Sequence, residues 1–306
     1  MTATEIRIAT RGSQLARTQT DGIARQITTL TGLPCRLVLI RTEGDDTTGP
    51  LTGGSRPGLF TSAVRDALHR GEADIAVHSM KDLPSEPEPG LTIAAIPERE
   101  IPFDALVAAH TLTELPSGAR LGTSSPRRAA ALRRARPDLL VVGLRGNVDS
   151  RLSQVAAGQV DAAIVAAAGL ARLGRLTAAI EVLDPEQMVP APAQGALAVE
   201  CPTASPFRST LAALDDPATR LAVTAERAVL RGVGASCTTA VGAYASFDDT
   251  TLTLTAELSE HRGVDYAAAS QSADIGASTA AATLGQAVAL TLLAAPGSSA
   301  IDGGRP

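Results

Sequence analysis

The sequence predicts an α/β protein with two α/β domains and a small α+β domain at the C-terminal end. Through the first two thirds of the chain, short apolar runs alternate with amphipathic segments, the pattern of βαβ units. From about Pro217 onward a long helical pattern is followed by alternating strand patterns and a final helical pattern. With 306 residues, 44% of them hydrophobic, the chain can build two or three separate cores.

The first α/β series alternates strand, helix, strand, helix and strand, predicted at residues 5–10, 13–31, 35–42, 60–70 and 73–79. Ser13 is a suitable N-cap for the first of these helices. Between them, residues 44–58 are rich in Gly, Pro, Thr and Ser, which predicts a mobile loop of the length that often forms a lid.

A second series follows a proline-containing crossover at residues 96–105, and another crossover at 189–201 returns the chain to the first domain. The C-terminal part contains the helix "PATRLAVTAERAVLRGVG", the strands "TAVGAYASF" and "TLTLTAEL", and a helix near 276–294. We therefore predict three domains, formed by residues 1–97 with 196–216, by 98–195 and by 217–306.

Charge is distributed unevenly along the chain. The formal net charge is -5, yet residues 120–151 contain eight arginines and two acidic residues. Guanidinium groups bind carboxylates and phosphates through two parallel hydrogen bonds. Aromatic residues make up 2% of the sequence and Trp is absent, so base stacking has little support. These features favour small anionic ligands over nucleic acid, although Arg133, Arg134 and Arg136 also fit a solvated helix face.

Two strand–turn–helix segments in this region predict anion-binding turns. In "GTSSPRR" the hydroxyls of Thr123 and Ser125 precede Pro126 at the first helical position, and Arg127 and Arg128 follow. "LRGNVDSRL" repeats the arrangement with Arg145 and Arg151. One such turn is weak evidence for an anion site, whereas two in tandem strengthen the prediction.

Two further candidates are Lys81 with its neighbour Asp82, and Cys237. Lys81 is the only lysine in the sequence, and the pair follows a predicted strand at the position where open α/β sheets bind ligands. Cys237 lies in the small-residue segment "GVGASCTTAVG", which favours reactive use as much as an inert role. Cys35 and Cys201 adjoin strands and suit packing.

The cysteines, the histidines and the apolar segments bear on metal binding and on the location of the protein. Three widely spaced cysteines fit neither a disulfide framework nor a zinc site, and they indicate a reducing cytoplasm. Four histidines without metal-ligand spacing argue against a metal site. No N-terminal signal pattern and no long apolar window predicts a membrane segment.

Eight motifs, in this order and spacing, resemble the hydroxymethylbilane synthase family, also called porphobilinogen deaminase: "RIATRGSQLA", "DIAVHSMKDLP", "GTSSPRR", "LRGNVDSRL", "AAAGLARLG", "PAPAQGALAVEC", "VTAERA" and the Cys237 segment. The resemblance implies two periplasmic-binding-protein-like domains with a hinge and a third domain. It also implies a covalent dipyrromethane cofactor. The implied activity is head-to-tail joining of four porphobilinogen molecules with loss of ammonia, then hydrolytic release of hydroxymethylbilane, by a cytoplasmic monomer in tetrapyrrole biosynthesis.

The resemblance also implies residue roles. Cys237 would attach the cofactor through a thioether, and Asp82 would be the catalytic carboxylate. The cofactor's acetate and propionate groups would be bound by Lys81, Thr123, Ser125, Arg127, Arg128 and Arg151. Incoming porphobilinogen would be bound by Arg11, Ser13, Arg145 and Arg172.

Some positions depart from the family pattern. The 44–58 loop has Arg56 as its one cation, where many members have several basic residues, and the crossover has Ile101 and Phe103 in "IPFDA". Two alternatives are a non-catalytic two-domain anion-binding protein and a paralogue that binds pyrroles without joining them. Neither accounts as well for Asp82, Cys237 and the arginines together.

Overall fold

The structure, a computed structural model, describes residues 4–42, 61–235, 239–260, 263, 265–274 and 278–295. In these ranges the strands are β1 Ile6–Arg11, β2 Cys35–Ile40, β3 Ile75–Ser79, β4 Leu91–Ala95, β5 Asp104–Ala108, β6 Arg120–Gly122, β7 Leu140–Val142, β8 Ala162–Ala166, β9 Glu181–Leu183, β10 Leu197–Pro202, β11 Ala240–Asp248, β12 Thr251–Ser259 and β13 Tyr266–Asp274. The α-helices are α1 Gln14–Thr31, α2 Ser62–His69, α3 Pro126–Ala135, α4 Val148–Ala156, α5 Ala167–Arg172, α6 Arg208–Leu211, α7 Pro217–Gly232 and α8 Ser278–Ala294. No helix within these ranges is both long and apolar enough to span a bilayer.

The chain divides into two compact units. The first contains Met1–Glu100 and Ala196–Arg220, and the second contains Ile101–Gly195 and Leu221–Pro306. The first unit is built on a five-stranded sheet of order β2-β1-β3-β10-β4. Strands β1, β2 and β3 are parallel, whereas β10 runs antiparallel to both of its neighbours.

The first helix shows how local sequence fixes an element at this sheet. Ser13 caps α1, because its side chain accepts a hydrogen bond from the Ala16 N–H at 3.3 Å. Gly32 ends the helix in the left-handed region, with φ of 70°, and its N–H donates to Thr28. Ile23 and Ile27 are buried on the face toward the sheet, so the predicted cap and end of this helix are confirmed.

The second unit contains two sheets. One has the order β7-β6-β8-β5-β9, with β6 parallel to β7 and β8 and with β5 antiparallel to β8 and β9. The other is an antiparallel meander of β11, β12 and β13, which shares an apolar core with α7 and α8. The predicted α/β class is therefore confirmed by the two mostly parallel sheets, and the α+β part by this meander and its helices.

Some elements differ from the prediction. β13 was not predicted, because its sequence "YAAASQSAD" has only alanines and Gln271 on the side that alternates inward, which leaves little contrast in hydropathy. The predicted loop at 44–58 lies outside the described residues, as does Cys237.

Candidate active site

Four of the predicted site residues lie at one edge of the first sheet. Strands β1 and β3 are parallel neighbours, so their carboxyl ends meet at the same edge. β1 ends at Arg11, and Ser13 caps the helix that follows it. After β3 the chain makes a 3-10 turn at Met80–Asp82. The fold therefore brings the segments of Arg11 and Ser13 to the same sheet edge as Lys81 and Asp82.

The turn after β3 is fixed by main-chain bonds and by two buried side chains. The Met80 N–H donates to the Ala196 carbonyl at 3.0 Å, and the Leu83 N–H donates to the Met80 carbonyl at 3.3 Å. Met80 and Leu83 are buried, whereas Lys81 is half-buried and Asp82 is exposed. The two adjacent charged side chains thus occupy different environments, and Asp82 is open to a ligand.

A buried ionic cluster lies at β3, the strand that leads into this turn. Glu200 on β10 accepts two hydrogen bonds from Arg65 of α2, at 3.1 and 2.9 Å, and its other contact is His78 Nε2 at 3.1 Å. Burial opposes ionisation of Glu200, but the His78 and Arg65 contacts outweigh it and hold the pKa of this carboxyl below its ordinary value. The cluster ties α2, β3 and β10 together and so supports the strand that leads into the turn.

The second set of predicted residues lies at the corresponding edge of the second sheet. Strand β6 lies between its parallel neighbours β7 and β8, so the segments that follow these strands share one edge. Thr123 and Ser125 follow β6, Arg145 follows β7, and Arg172 ends the helix after β8. Ser124 Oγ donates to the Leu144 carbonyl at 2.7 Å, which joins two of the segments.

Helix α3 begins at this edge with two cations in its first turn. Ser125 is its N-cap and accepts a hydrogen bond from the Arg128 N–H at 3.4 Å, and Pro126 occupies the first position as predicted. The first turn contains Arg127 and Arg128 and no acidic residue. Because the N-terminus of a helix carries positive partial charge, two guanidiniums here require negative charge from elsewhere.

Asp104, at the start of β5, supplies one such charge. Its Oδ1 accepts from Arg128 Nη2 at 2.7 Å and from Gln194 Nε2 at 3.0 Å, and its Oδ2 lies 2.8 Å from Arg127 Nη2. Burial opposes ionisation of Asp104, but the two guanidiniums outweigh it and hold the pKa of the carboxyl well below its ordinary value. One carboxylate therefore fixes both arginines of α3.

Arg151 adds a third guanidinium from α4. Its Nε donates to the Gly146 carbonyl at 3.0 Å, and no carboxylate in the described part of the chain pairs with it. Burial, and then the charge of Arg128, lower the pKa of Arg151 to about 10, so the side chain remains a cation at neutral pH. Arg127 and Arg128 thus share the one carboxylate of Asp104, and Arg151 adds a further positive charge that acts on Arg128.

This group of residues suits a ligand that brings carboxylates. Arg127 is 8% exposed, and its Nε has no hydrogen-bond acceptor among the described residues. A buried donor without an acceptor is costly, and a ligand carboxylate would satisfy it. The excess positive charge, the unsatisfied Nε and the capped helix N-terminus make this edge of the sheet a candidate site for an anion.

The solvated-face interpretation of the later arginines of α3 needs correction. Arg133 is exposed, but Arg134 donates to Glu257 at 2.8 Å and its Cζ lies 4.3 Å from the ring centroid of Tyr266. Arg136 donates to Asp138 and to main-chain carbonyls. Arg134 therefore attaches α3 to the meander, a long-range contact that local sequence does not reveal.

The two described cysteines behave as packing residues. Cys201 on β10 is fully buried, and burial raises the pKa of its thiol. Cys35 on β2 is half-buried, with Thr28 Oγ1 3.5 Å from its sulfur. Burial of Cys201 disfavours a nucleophilic thiolate, and both cysteines pack in the apolar core of the first sheet.

Comparison with known proteins decides the family. The sequence model of the porphobilinogen deaminase dipyromethane cofactor binding domain matches residues 6–207, and the porphobilinogen deaminase C-terminal domain matches residues 220–294. The chain belongs to the porphobilinogen deaminase family. A porphobilinogen deaminase of Leifsonia xyli is 46% identical over 302 residues, covering 94% of this chain and 92% of that protein. One of Nocardia farcinica is 49% identical, covering 95% of this chain and 86% of that protein.

Solved structures with distant likeness include a YaeC-family lipoprotein of Enterococcus faecalis, at 15% identity, with TM-score 0.40, covering 69% of this chain and 91% of that one. Another is the periplasmic VFT2 domain of Bordetella pertussis BvgS, at 14% identity, with TM-score 0.40, covering 69% of this chain and 86% of that one. The predictions of porphobilinogen deaminase activity and of a dipyrromethane cofactor are confirmed by the family match and the relatives, not by these structures.

Sequence reasoning missed the side chains that fix the arginines. Asp104 was noticed only as part of "IPFDA", and Gln194 only as part of "PAPAQGALAVEC". An acidic residue at the start of the apolar run "DALVA" could have signalled a buried ion pair, because a buried carboxylate needs a partner. Its partners are more than twenty residues away in sequence, so their identity required the structure.

Proposed function

We propose that this porphobilinogen deaminase uses Asp82 as its catalytic carboxylate and the charged edge of its second sheet to hold the carboxylates of its cofactor. The reaction joins four porphobilinogen molecules head to tail with loss of ammonia, and water then releases hydroxymethylbilane. Each pyrrole brings two carboxylates, so a growing product gains negative charge at every step. The observation that best supports the proposal is the buried pair of guanidiniums, of Arg127 and Arg128, that share the one carboxylate of Asp104, with the charge of Arg151 added to theirs.

The dipyrromethane, when bound through Cys237, supplies the covalent primer to which porphobilinogen is joined. We assign its acetate and propionate groups to Lys81, Thr123, Ser125, Arg127, Arg128 and Arg151. Arg127 and Arg151 have the strongest structural support, since one has a buried Nε without an acceptor and the other has no carboxylate partner among the described residues. Arg128 already donates to Asp104 and to the Ile164 carbonyl. We therefore assign it chiefly to holding Asp104, and through Asp104 the Arg127 side chain, in place.

Incoming porphobilinogen is assigned to Arg11, Ser13, Arg145 and Arg172. Arg11 ends β1, Ser13 follows β1 and Arg145 follows β7, so each lies at the carboxyl edge of its sheet. Arg172 donates to the Gly195 carbonyl at 2.6 Å, which orients its guanidinium. Their role is to bind substrate carboxylates and to align the pyrrole that will react.

Asp82 is assigned the chemistry because it is an exposed carboxylate on a fixed turn. In that position it can accept hydrogen bonds from pyrrole N–H groups. It can also stabilise the positive charge that develops as ammonia leaves. Lys81, a compact ammonium on a flexible stem, would bind a neighbouring carboxylate instead.

We further propose a cytoplasmic monomer with three domains, of residues 1–97 with 196–216, 98–195 and 217–306. Three widely spaced cysteines, which fit no disulfide framework, support a reducing compartment. The two separate sheets of the second unit support a division of that unit into two domains.

Intact mass, together with an Ehrlich-type colour test for the dipyrrole, tests the cofactor assignment. Cys237→Ser, produced in cells, should lack both the added mass and the activity, because a hydroxyl is a far poorer nucleophile than a thiolate. Cys35→Ser and Cys201→Ser should keep both. A Cys237→Ser protein that retains the dipyrrole, beside a Cys35 or Cys201 variant that loses it, would place the attachment elsewhere.

A further inference from the structure

Two of the sequence motifs meet at Glu226, a residue with no role in the site described so far. "VTAERA" lies in α7 and contains Glu226, and "PAPAQGALAVEC", residues 190–201, begins in the segment 189–194 that precedes β10. Glu226 and the segment 189–194 belong to the second unit, and a hydrogen bond joins them.

Glu226 is a fully buried carboxylate with two main-chain donors. Its Oε2 accepts from the Ala193 N–H at 2.6 Å, and its Oε1 accepts from the Ala245 N–H at 2.9 Å. Ala245 belongs to β11, so one side chain holds the 189–194 segment against the meander. A carboxylate is suited to this place because each of its two oxygens is only an acceptor.

The segment 189–194 contacts the arginine group on its other side. The Val189 carbonyl accepts from Arg127 Nη1 at 2.8 Å, and Gln194 Nε2 donates to Asp104 at 3.0 Å. Against the meander, the Pro190 carbonyl accepts from the Ala243 N–H at 3.0 Å. The segment therefore connects the meander directly to the group that fixes Arg127 and Arg128.

Glu226 also holds a backbone conformation that alanine disfavours. Ala193 has a φ of 62°, in the left-handed region, where a side chain with a Cβ is strained. The N–H that Glu226 accepts belongs to this residue. Without that acceptor, Ala193 would relieve its backbone strain by leaving the left-handed region. The carbonyl of Val189 and the side-chain amide of Gln194 would then move with it.

We propose that Glu226 is a positioning residue for the cofactor's carboxylate site, acting through the 189–194 segment on Arg127. This inference rests on the proposed function, because it takes Arg127 to bind the cofactor. Glu226 acts indirectly, through the main chain of this segment. Its effect is to fix the direction of the Arg127 guanidinium, whose Nε is the buried donor without an acceptor.

The test is Glu226→Gln, followed by the ¹⁵N–¹H resonance of Arg127 Nε. The spectra are recorded on cofactor-loaded full-length protein, which ion exchange separates from cofactor-free protein because the cofactor adds carboxylates. The glutamine places an N–H₂ group against Ala193 or Ala245, so one main-chain donor loses its acceptor. We expect the Arg127 resonance to shift by more than its line width, and the loaded fraction of freshly purified protein to fall several-fold. An unchanged resonance with an unchanged loaded fraction would overturn the proposal.

A second variant tests the same role if Glu226→Gln does not fold. Glu226→Asp keeps the charge but is one methylene shorter, so it cannot reach both amides. It should shift the Arg127 resonance in the same way, and an unshifted resonance would again overturn the proposal. Asp215→Asn is the matched control in the first unit, since Asp215 accepts from the Ile96 N–H at 2.6 Å. It should leave the Arg127 resonance in place.

Rescue separates positioning from general stability. Ala193→Gly removes the left-handed strain, so combined with Glu226→Gln it should return the Arg127 resonance toward its original position. Asp249→Gly relieves a left-handed residue too, with φ of 51°, but in the hairpin between β11 and β12. It should raise thermal stability without moving the resonance, and equal rescue by both glycines would contradict the proposal.

The two assignments fail separately. If Arg127→Leu keeps a full cofactor load, the assigned function of Arg127 is wrong, whatever Glu226→Gln does to the resonance. If Arg127→Leu loses the cofactor while Glu226→Gln leaves resonance and load unchanged, the function stands and the positioning role falls.

Discussion

Asp104 Oδ1 lies 2.7 Å from Nη2 of Arg128, and both side chains are buried. A buried ion pair is not in itself evidence of high stability, but removing one partner leaves an uncompensated charge. Because Asp104 also contacts Arg127, its loss would leave two guanidiniums facing each other at the start of α3.

Asp104→Asn should therefore destabilise the fold strongly. The change keeps the shape and deletes the charge, and we expect the free energy of unfolding to fall by about 3 kcal/mol at neutral pH. Urea unfolding measures the change. Asp161→Asn is the control, because Asp161 pairs with Arg120 at the surface, and it should have little effect. Equal effects of the two substitutions would show that burial of the Asp104 pair is unimportant.

The same pair predicts a pH dependence. Despite its burial, the charges of Arg127 and Arg128 hold the pKa of folded Asp104 below its ordinary value of 3.8. A carboxyl with a lowered pKa stabilises the fold above its unfolded pKa, and that stability is lost as the pH falls through the folded pKa. The difference in unfolding free energy between wild type and Asp104→Asn should be greatest above about pH 4 and should shrink below it. Urea unfolding at several pH values measures this, and a difference independent of pH would contradict it.

The arginine group should govern cofactor assembly. Arg127→Leu and Arg128→Leu should each lower the fraction of protein that carries the dipyrrole. Without Arg127 a cofactor carboxylate loses a charge-assisted partner, and without Arg128 the neighbouring Arg127 loses its orientation. Intact mass of freshly purified protein gives that fraction. Arg133→Leu is the matched control on the exposed face of α3 and should barely change it. Equal and mild effects at all three positions would indicate a solvated helix face.

Sequence reasoning succeeded where the determinants are local. Ser13 as N-cap, Pro126 at the first turn of α3 and the strand–turn–helix order around them depend on neighbouring residues alone. The same order also predicts which edge of each sheet holds the site residues, because the segments that follow parallel strands lie at one edge.

Sequence reasoning failed where the determinants are distant. Arg134 was taken with Arg133 and Arg136 as part of a solvated face, yet its partners Glu257 and Tyr266 lie more than a hundred residues away. Asp104, Gln194 and Glu226 are equally dependent on distant partners. Such contacts depend on how β5, the 189–194 segment and the meander pack, which a local pattern does not specify. The role of Cys237, outside the described residues, stays a prediction.

Steady-state turnover of purified Asp82→Asn tests the central claim most directly. The substitution keeps the shape of an exposed side chain, so the protein should fold with near-normal thermal stability. Turnover of porphobilinogen should fall by about two orders of magnitude or more, as expected when an electrostatic stabiliser of the transition state is lost. Asp82→Glu should retain part of the activity, because its charge persists in a displaced position, and Glu86→Gln, at an exposed acid four residues later, should change it little. Turnover of Asp82→Asn within a few-fold of the wild type, in protein that carries its cofactor, would contradict the catalytic assignment.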